Sequence, residues 1–409
     1  MTGLQLRHRR RPRLDRRPPP PRPSPAAPAV PNRGQAWPEK ATARAAGIAL
    51  LALAALGCGS GSGTGSEPTP GRAAQSRPGL PGRPAQPGPG QLNVYIWTNY
   101  LPAEVVAEFE RRTGIRVNVD TYSSNEALLD KLQSGVADYD LVVPSDYMLQ
   151  ILVPQRLLRP LDRRRLPRFG NLDPRFLDRK FDPGNRCSLP YLWGTTGIGY
   201  DRLKVAAPVD SWQALFDPRH AGRVLMLDDM REAFGAALRL DGRPLNERDP
   251  AALRRAAARL AAQKPLVRTY NSSDFANLLA AGDVDLAQGY NGELAKVVAR
   301  EPHRFAYVIP REGGTLWIDS LAIPSTARNL DSAYAFLDYV LEPAVAARIV
   351  AGVRYASANR AALPLIAPEI RDDPAVYPAA AVLDRCQLIE DLGATTPLLD
   401  RLWTEVKAR

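Results

Sequence analysis

Four times between residues 92 and 299, a short apolar run gives way within a few residues to a segment of helical periodicity. Residues 92–97, "LNVYIW", precede "LPAEVVAEFERRTG" at 101–114, where Val105 and Phe109 share a helical face and Gly114 closes the helix. "IRVNVDTY" alternates as a second strand ahead of helical "NEALLDKLQSG", and "YDLVVPS" reads as a third strand. "VLMLDDMREAFGAALRL" at 224–240 and "VDLAQGYNGELAKVVA" at 284–299 repeat the unit. Such alternation predicts an α/β body on a mostly parallel sheet, with ligands at the carboxyl ends of its strands. The residues with chemistry to offer fall there: Trp97, Thr98 and Tyr100 after the first strand, Ser145 and Tyr147 after the third. Asp229 and Glu232 stand where a strand becomes a helix, and Tyr290 at a turn. No internal repeat, G-x-G-x-x-G or Walker loop is present, which argues against nucleotide binding.

"TLWIDSLAIP" at 315–324 is apolar enough for a buried strand, yet Trp317 and Asp319 lie one pleat apart on the same face. Aspartate is depleted in strands and almost never fully buried unless paired. Either the protein or a ligand must pair it.

Charge separates the chain into two parts. The net charge of +11 would suggest nucleic acid or an anionic membrane as partner. Residues 1–91, however, carry 14 Lys/Arg against 3 Asp/Glu and 17 of the 39 prolines, while the remaining 318 residues are balanced. The basic bias belongs to the leader, and nucleic acid is not an expected partner. Residues 7–22, "RHRRRPRLDRRPPPPR", have nothing to bury. Arg44 then introduces "AAGIALLALAALG", which is too short to span a bilayer and reads as a secretory signal within a leader of residues 1–57. "ALGC" at 55–58 resembles a bacterial lipobox in which Cys58 becomes the lipidated first residue; an ordinary signal peptide cleaved nearby is the alternative. The Gly/Ser/Pro linker that continues to residue 91 would hold an extracytoplasmic body off a membrane. Export permits a Cys187–Cys386 disulfide, though two free thiols are the default. No Cys/His spacing suggests a metal site, and His8, His220 and His303 are scattered.

"IWTNYLPAEVVAEFERRTGIRV", "DLVVPSDYM", "PYLWGTTGIGYD", "LDDMREAF" and "LWIDSLAIP", in this order and spacing, resemble the spermidine/putrescine-binding proteins of bacterial ABC importers. The likeness covers about 92–409. It implies a two-lobed periplasmic-binding fold of type II, each lobe a mixed sheet flanked by helices, closing over a ligand in the cleft between them. Lobe one would be 92–195 plus 320–366 and lobe two 196–318 plus 367–409, with crossings near Gly194–Thr195 and Ile318–Ser320. The resemblance further implies an aromatic box of Trp97, Tyr100, Tyr147, Trp317 and Tyr355 around the methylene chain. Asp229, Glu232 and Asp319 would take the ammonium groups; Thr98, Ser145, Ser272 and Gln387 would add polar contacts. Asn99 stands where a family member may carry a further acid, and Tyr290 where an indole is common. The implied partners are a polyamine and a membrane permease, without cofactor or metal.

Polyamine chemistry suits these residue types. Aromatic faces serve both methylenes and amines, and carboxylates must meet ammonium groups stripped of water. Each residue also has a plainer use: Asp229 as a helix N-cap, Glu232 as a first-turn acid favoured by the helix dipole, Ser145 as a turn residue. Two rival functions remain. One is a receptor of the same fold for ferric iron, a sugar or another cationic amine. The other is an enzyme using paired acids, as glycosidases do, but Asp229 and Glu232 lie three apart on one helix rather than opposed across a bond.

Overall fold

The computed structural model describes residues 90–408 apart from 136, 137 and 207. The leader, the apolar run and Cys58 lie outside the described residues. Strand β1 (Gln91–Trp97) buries Leu92, Val94 and Ile96, the period-two pattern of a strand with one face on a core. Helix α1 (Ala103–Thr113) buries Val105 and Phe109 and ends at Gly114, whose φ of 71° is the left-handed conformation that lets its N–H bond back to Glu110. β2 (Arg116–Tyr122) runs parallel to β1 at the sheet edge. α2 (Asn125–Gln133) starts at Ser124, whose hydroxyl accepts the Ala127 N–H at 3.1 Å. β3 (Leu141–Val142) and α3 (Asp146–Leu152) complete the first series.

Strand β4 (Ser188–Asp201) is buried along all 14 residues. The second series is β5 (Val224–Met226), α4 (Met230–Leu240), α5 (Pro250–Gln263), β6 (Val267–Tyr270), α6 (Phe275–Ala281), β7 (Leu286–Tyr290), α7 (Asn291–Arg300) and β8 (Phe305–Val308). β9 (Leu316–Ala322), α8 (Leu330–Val340), α9 (Pro343–Val353) and β10 (Ala356–Ser357) lead to a C-terminal helix, Thr396–Ala408. The main strand order is β2-β1-β3-β9-β4-β7-β5-β6, with β8 and β10 also paired to β4.

The sheet is mixed rather than mostly parallel. β1 is parallel to β2 and β3, and β5 to β6 and β7. β9 is antiparallel to β3 and β4, and β4 to β7, β8 and β10. Strand–helix alternation detects parallel pairs because each needs a crossover. β4 and β9 show in the sequence only as apolar runs, with nothing to announce their direction.

β4 changes partners midway. Through Thr195 it pairs with β9, and from Thr196 with β7. Gly194 stands at the change because a Cβ there would come within 2.3 Å of the Asn291 amide oxygen and 2.4 Å of the Trp317 ring. One core gathers Leu92, Phe109, Leu141, Ile318, Phe336 and their neighbours. A second contains Trp212, Phe234, Leu260 and Trp403, and a third contains Phe275, Leu279, Leu294 and Phe305. In β5, Val224 and Met226 join the second while Leu225 joins the third, so that sheet is covered on both faces. The C-terminal segment serves both regions: Ile370, Val376 and Ile389 join the first core, Leu392 to Val406 the second. Cys187 and Cys386 are both free thiols. Among the described residues no helix is long and apolar enough to cross a membrane.

Candidate functional site

Where the strand ends of the two sheet regions face each other, a cavity opens with an empty volume of about 820 Å³ including its solvent-side mouth. Twelve of the thirteen residues expected at a ligand site line it: Trp97, Thr98, Tyr100, Ser145, Tyr147, Asp229, Glu232, Ser272, Tyr290, Trp317, Asp319 and Tyr355. Gln387 does not. Its amide oxygen accepts the Leu245 N–H at 2.9 Å, and its backbone pairs beside Thr315, so it ties the C-terminal segment to β9.

Four rings form a ladder through the cavity. Tyr290 meets Trp317 edge-on at 6.2 Å, Trp317 meets Tyr355 at 5.2 Å, and Tyr355 meets Tyr100 at 5.2 Å. Contacts of this geometry add about 0.5–1.5 kcal/mol each beyond area burial. Trp97 and Tyr122 pack at 4.7 Å on another wall. Their indole N–H and phenol O–H both donate to the Val143 carbonyl, which fixes these rings to the end of β3.

A carboxylate group lies toward each end of the ladder. At the Tyr100 end, Asp319 is only 5% exposed. The Tyr100 hydroxyl donates to its Oδ2 at 2.7 Å and the Ser145 hydroxyl to its Oδ1 at 2.6 Å. The protein therefore supplies hydrogen bonds where an amine partner was expected. Neither donor carries charge, and burial pushes the carboxyl up to about 6 although the two hydroxyls oppose the rise. Asp146 beside it accepts the Tyr147 and Ile318 N–H groups; burial, then the Asp319 charge, pushes it well above the usual range.

At the Tyr290 end, Asp229 is the N-cap of α4, accepting the Arg231 and Glu232 N–H groups at 2.8 and 3.1 Å. The plain role and the cavity-lining position coincide. Glu232 accepts hydroxyl donors on both oxygens, from Thr196 at 2.8 Å and Thr315 at 2.7 Å. Burial pushes it up to about 8, and Asp229 adds to the rise. The Tyr147 hydroxyl donates to Glu126 at 3.1 Å, which sets that ring's orientation.

Among the described residues the lining holds five carboxylates and no Lys, Arg or His. Asp146, Glu293 and Tyr122 are members that motif reading passed over. Asp146 directly follows Ser145, Tyr122 ends β2, and Glu293 sits in the first turn of α7. Their strand-end positions were the available signal.

The model of the bacterial extracellular solute-binding proteins matches residues 104–379. This chain belongs to that family. It is 38% identical to the putrescine-binding periplasmic protein PotF of Escherichia coli (strain K12), over 78% of this chain and 91% of that one. It is 37% identical to the same organism's spermidine/putrescine-binding periplasmic protein, with the same shares covered. Among solved structures, it resembles the spermidine/putrescine substrate-binding protein PotD of Streptococcus pneumoniae at 31% identity and a TM-score of 0.69, over 78% of this chain and 99% of that one. It also resembles the TpPotD lipoprotein of Treponema pallidum at 30% identity and a TM-score of 0.70, over 78% and 100%. The fold of this solute-binding protein is thus the two-lobed type II periplasmic arrangement.

Proposed function

We propose that this solute-binding protein captures a polyamine outside the cytoplasm and delivers it to the membrane permease of an ABC importer. The observation that carries the reading is the lining: aromatic rings between buried carboxylates, with no Lys, Arg or His among the described lining residues, and with the Arg231 charge behind Asp229 and Glu232 not offsetting their burial. Burying an ion without a counter-ion is very costly, and a ligand that brings ammonium groups removes that cost at both ends. Methylenes between the amines would lie against Tyr290, Trp317, Tyr355 and Tyr100, where cation–π attraction adds about 0.5–2 kcal/mol per well-placed ring. Asp319, Asp229 and Glu232 take the ammonium groups; Thr98 and Ser272 offer polar contacts, and the Ser272 hydroxyl is buried without a partner.

Lobe one is 92–195 with 320–366 and lobe two 196–318 with 367–409, and the change of partners along β4 supports a crossing at Gly194–Thr195. Part of 367–409 packs on the first core, which would let that segment follow lobe one during closure. Cys58 carries a lipid anchor; the lipobox-like "ALGC" supports this.

Calorimetry of the purified protein against putrescine, spermidine, maltose and ferric citrate tests the function. Heat with either polyamine and none with the others is expected; binding of maltose or ferric citrate alone would replace the reading. Small-angle scattering should show compaction at saturating polyamine. Labelled palmitate and membrane fractionation of Cys58→Ser should show loss of lipid and of membrane attachment.

A further inference from the structure

Away from the ligand cavity, α5 turns a one-sided surface to solvent. From Ala251 to Gln263 its exposed residues are Ala251, Arg254, Arg255, Ala258 and Ala262, and the helix contains no acid. A solvated helix face ordinarily mixes both signs and pairs them one turn apart. Here Arg255 and Arg259 stand at i,i+4 with like charges, an arrangement that destabilises a helix unless an anion lies between them. Residues 239–268 carry eight Lys/Arg against three Asp/Glu, in a body whose charges balance overall. The excess is therefore local to this face.

Two surface depressions flank the stripe. One is lined by Asp241, Arg243, Arg255 and Arg259. Asp241 pairs with Arg259 and Glu247 with Arg243, while Arg255 has no carboxylate within 4 Å among the described residues. The other depression runs between α5 and the C-terminal helix. Ala257, Ala261, Leu398 and Leu402 line it together with Arg254, Arg401 and one acid, Glu405. A partner suited to this face is anionic, broad enough to cover both depressions, and tolerant of apolar contact. A small anion would fill only the first. An anionic phospholipid surface offers phosphates to the guanidinium forks and apolar atoms just beneath them. Alanine between the arginines lets such a surface approach closely.

We propose that the α5 face docks the body on anionic phospholipid, with Arg254, Arg255 and Arg401 on the headgroup phosphates. The choice of occupant rests in part on the lipid-anchor reading of Cys58, which keeps a bilayer within the length of residues 59–90. None of these arginines lines the ligand cavity, so docking and capture are separate properties.

Flotation of the purified Cys58→Ser protein with vesicles tests this without the anchor. It should float with equimolar phosphatidylcholine and phosphatidylglycerol, and much less with phosphatidylcholine alone. Each arginine near an anionic bilayer is worth about fivefold in affinity. Replacing Arg254, Arg255 and Arg401 together by Gln should therefore weaken binding on the order of a hundredfold. The same replacement of Arg156, Arg179 and Arg186, exposed arginines in the segment that packs on the first core, should change it by no more than about twofold. Residues 1–91 are common to all these proteins, so ratios between variants report the body. The α5 triple should keep the parent's melting temperature and polyamine heat; if it does not fold, the three single variants carry the test at about fivefold each. Equal losses from the two triples, or none from either, would overturn the proposal. Calorimetric binding of inorganic phosphate that the α5 triple abolishes, with vesicle binding unchanged, would make the cradle a small-anion site and overturn it too. The palmitate experiment on Cys58 is independent, so a missing anchor and a missing docking face are told apart.

Discussion

The two ends of the cavity solve one problem in different ways. Asp319 and Glu232 are both buried and both satisfied by two hydroxyl donors, and neither forms an ion pair among the described residues, although the Arg231 charge reaches Glu232. Asp319 is pushed up to about 6, Glu232 to about 8. Burial is the first cause in each case, but Glu232 has Asp229 three residues away, and two carboxylates sharing one site cannot both ionise freely. At neutral pH the Asp319 end therefore waits charged, while the Glu232 end waits largely protonated. Similar hydrogen-bond shells give one end ready for an ammonium and one that must first release a proton.

The most damaging substitution should be Asp319→Asn. Truncating one partner of a desolvated charge pair costs about 2–5 kcal/mol, so polyamine affinity should fall from roughly 30-fold to a few thousand-fold. The asparagine can still accept one hydroxyl and donate to the other, so the melting temperature of the free protein should hold. Unchanged affinity with a much lower melting temperature would make Asp319 structural and remove one side of the comparison.

Glu232→Gln should cost about tenfold less than Asp319→Asn at pH 7, because each pKa unit above the working pH takes about tenfold from what the carboxylate contributes. The two losses should converge near pH 9, where Glu232 is ionised without ligand. A constant gap across pH would show that the ends do not differ in protonation. The same difference predicts proton release: near pH 7, calorimetry in buffers of different ionisation heat should detect close to one proton leaving per polyamine bound, and much less in Glu232→Gln.

Stability of the free protein should carry the signature in the opposite sense from ordinary carboxylates. Glu232 holds its proton in the folded state up to about 8, while the unfolded chain releases it near the ordinary glutamate value. Between those limits the folded state binds more protons, so stability falls as pH rises through the window. Asp319 adds a shorter window that ends near 6. Thermal melts should show the free protein gaining stability on acidification from pH 8 to 6, with a shallower gain in Glu232→Gln.

The smallest effect should come from Thr315→Val, which removes one of two donors to the ionised Glu232. A hydrogen bond to a charged group is worth about 1.5–3 kcal/mol, part of which the ligand ammonium replaces. The affinity–pH curve should shift upward with only a modest loss at pH 9. A shift in the other direction would mean that Thr315 stabilises the neutral acid.

The sequence alone determined the elements and most of the lining. Val105 and Phe109 one turn apart, Gly114 after them and Asp229 before α4 are local signals, and the helices obey them. The family resemblance named thirteen residues, and twelve of them line one cavity; those after β1 and β3 and before α4 were also legible as strand-end positions, where an α/β sheet gathers its ligand contacts. Gln387 lies outside that lining, since its position depends on how the C-terminal segment docks beside β9. Tertiary structure alone decided what the buried acids meet. The donors to Asp319 come from 219 and 174 residues away, and those to Glu232 from two different strand segments. It also decided the antiparallel course of β4 and β9. Periodicity records which face of an element is buried, whereas hydrogen-bond partners, strand direction and the proximity of two charges exist only once distant segments are packed together.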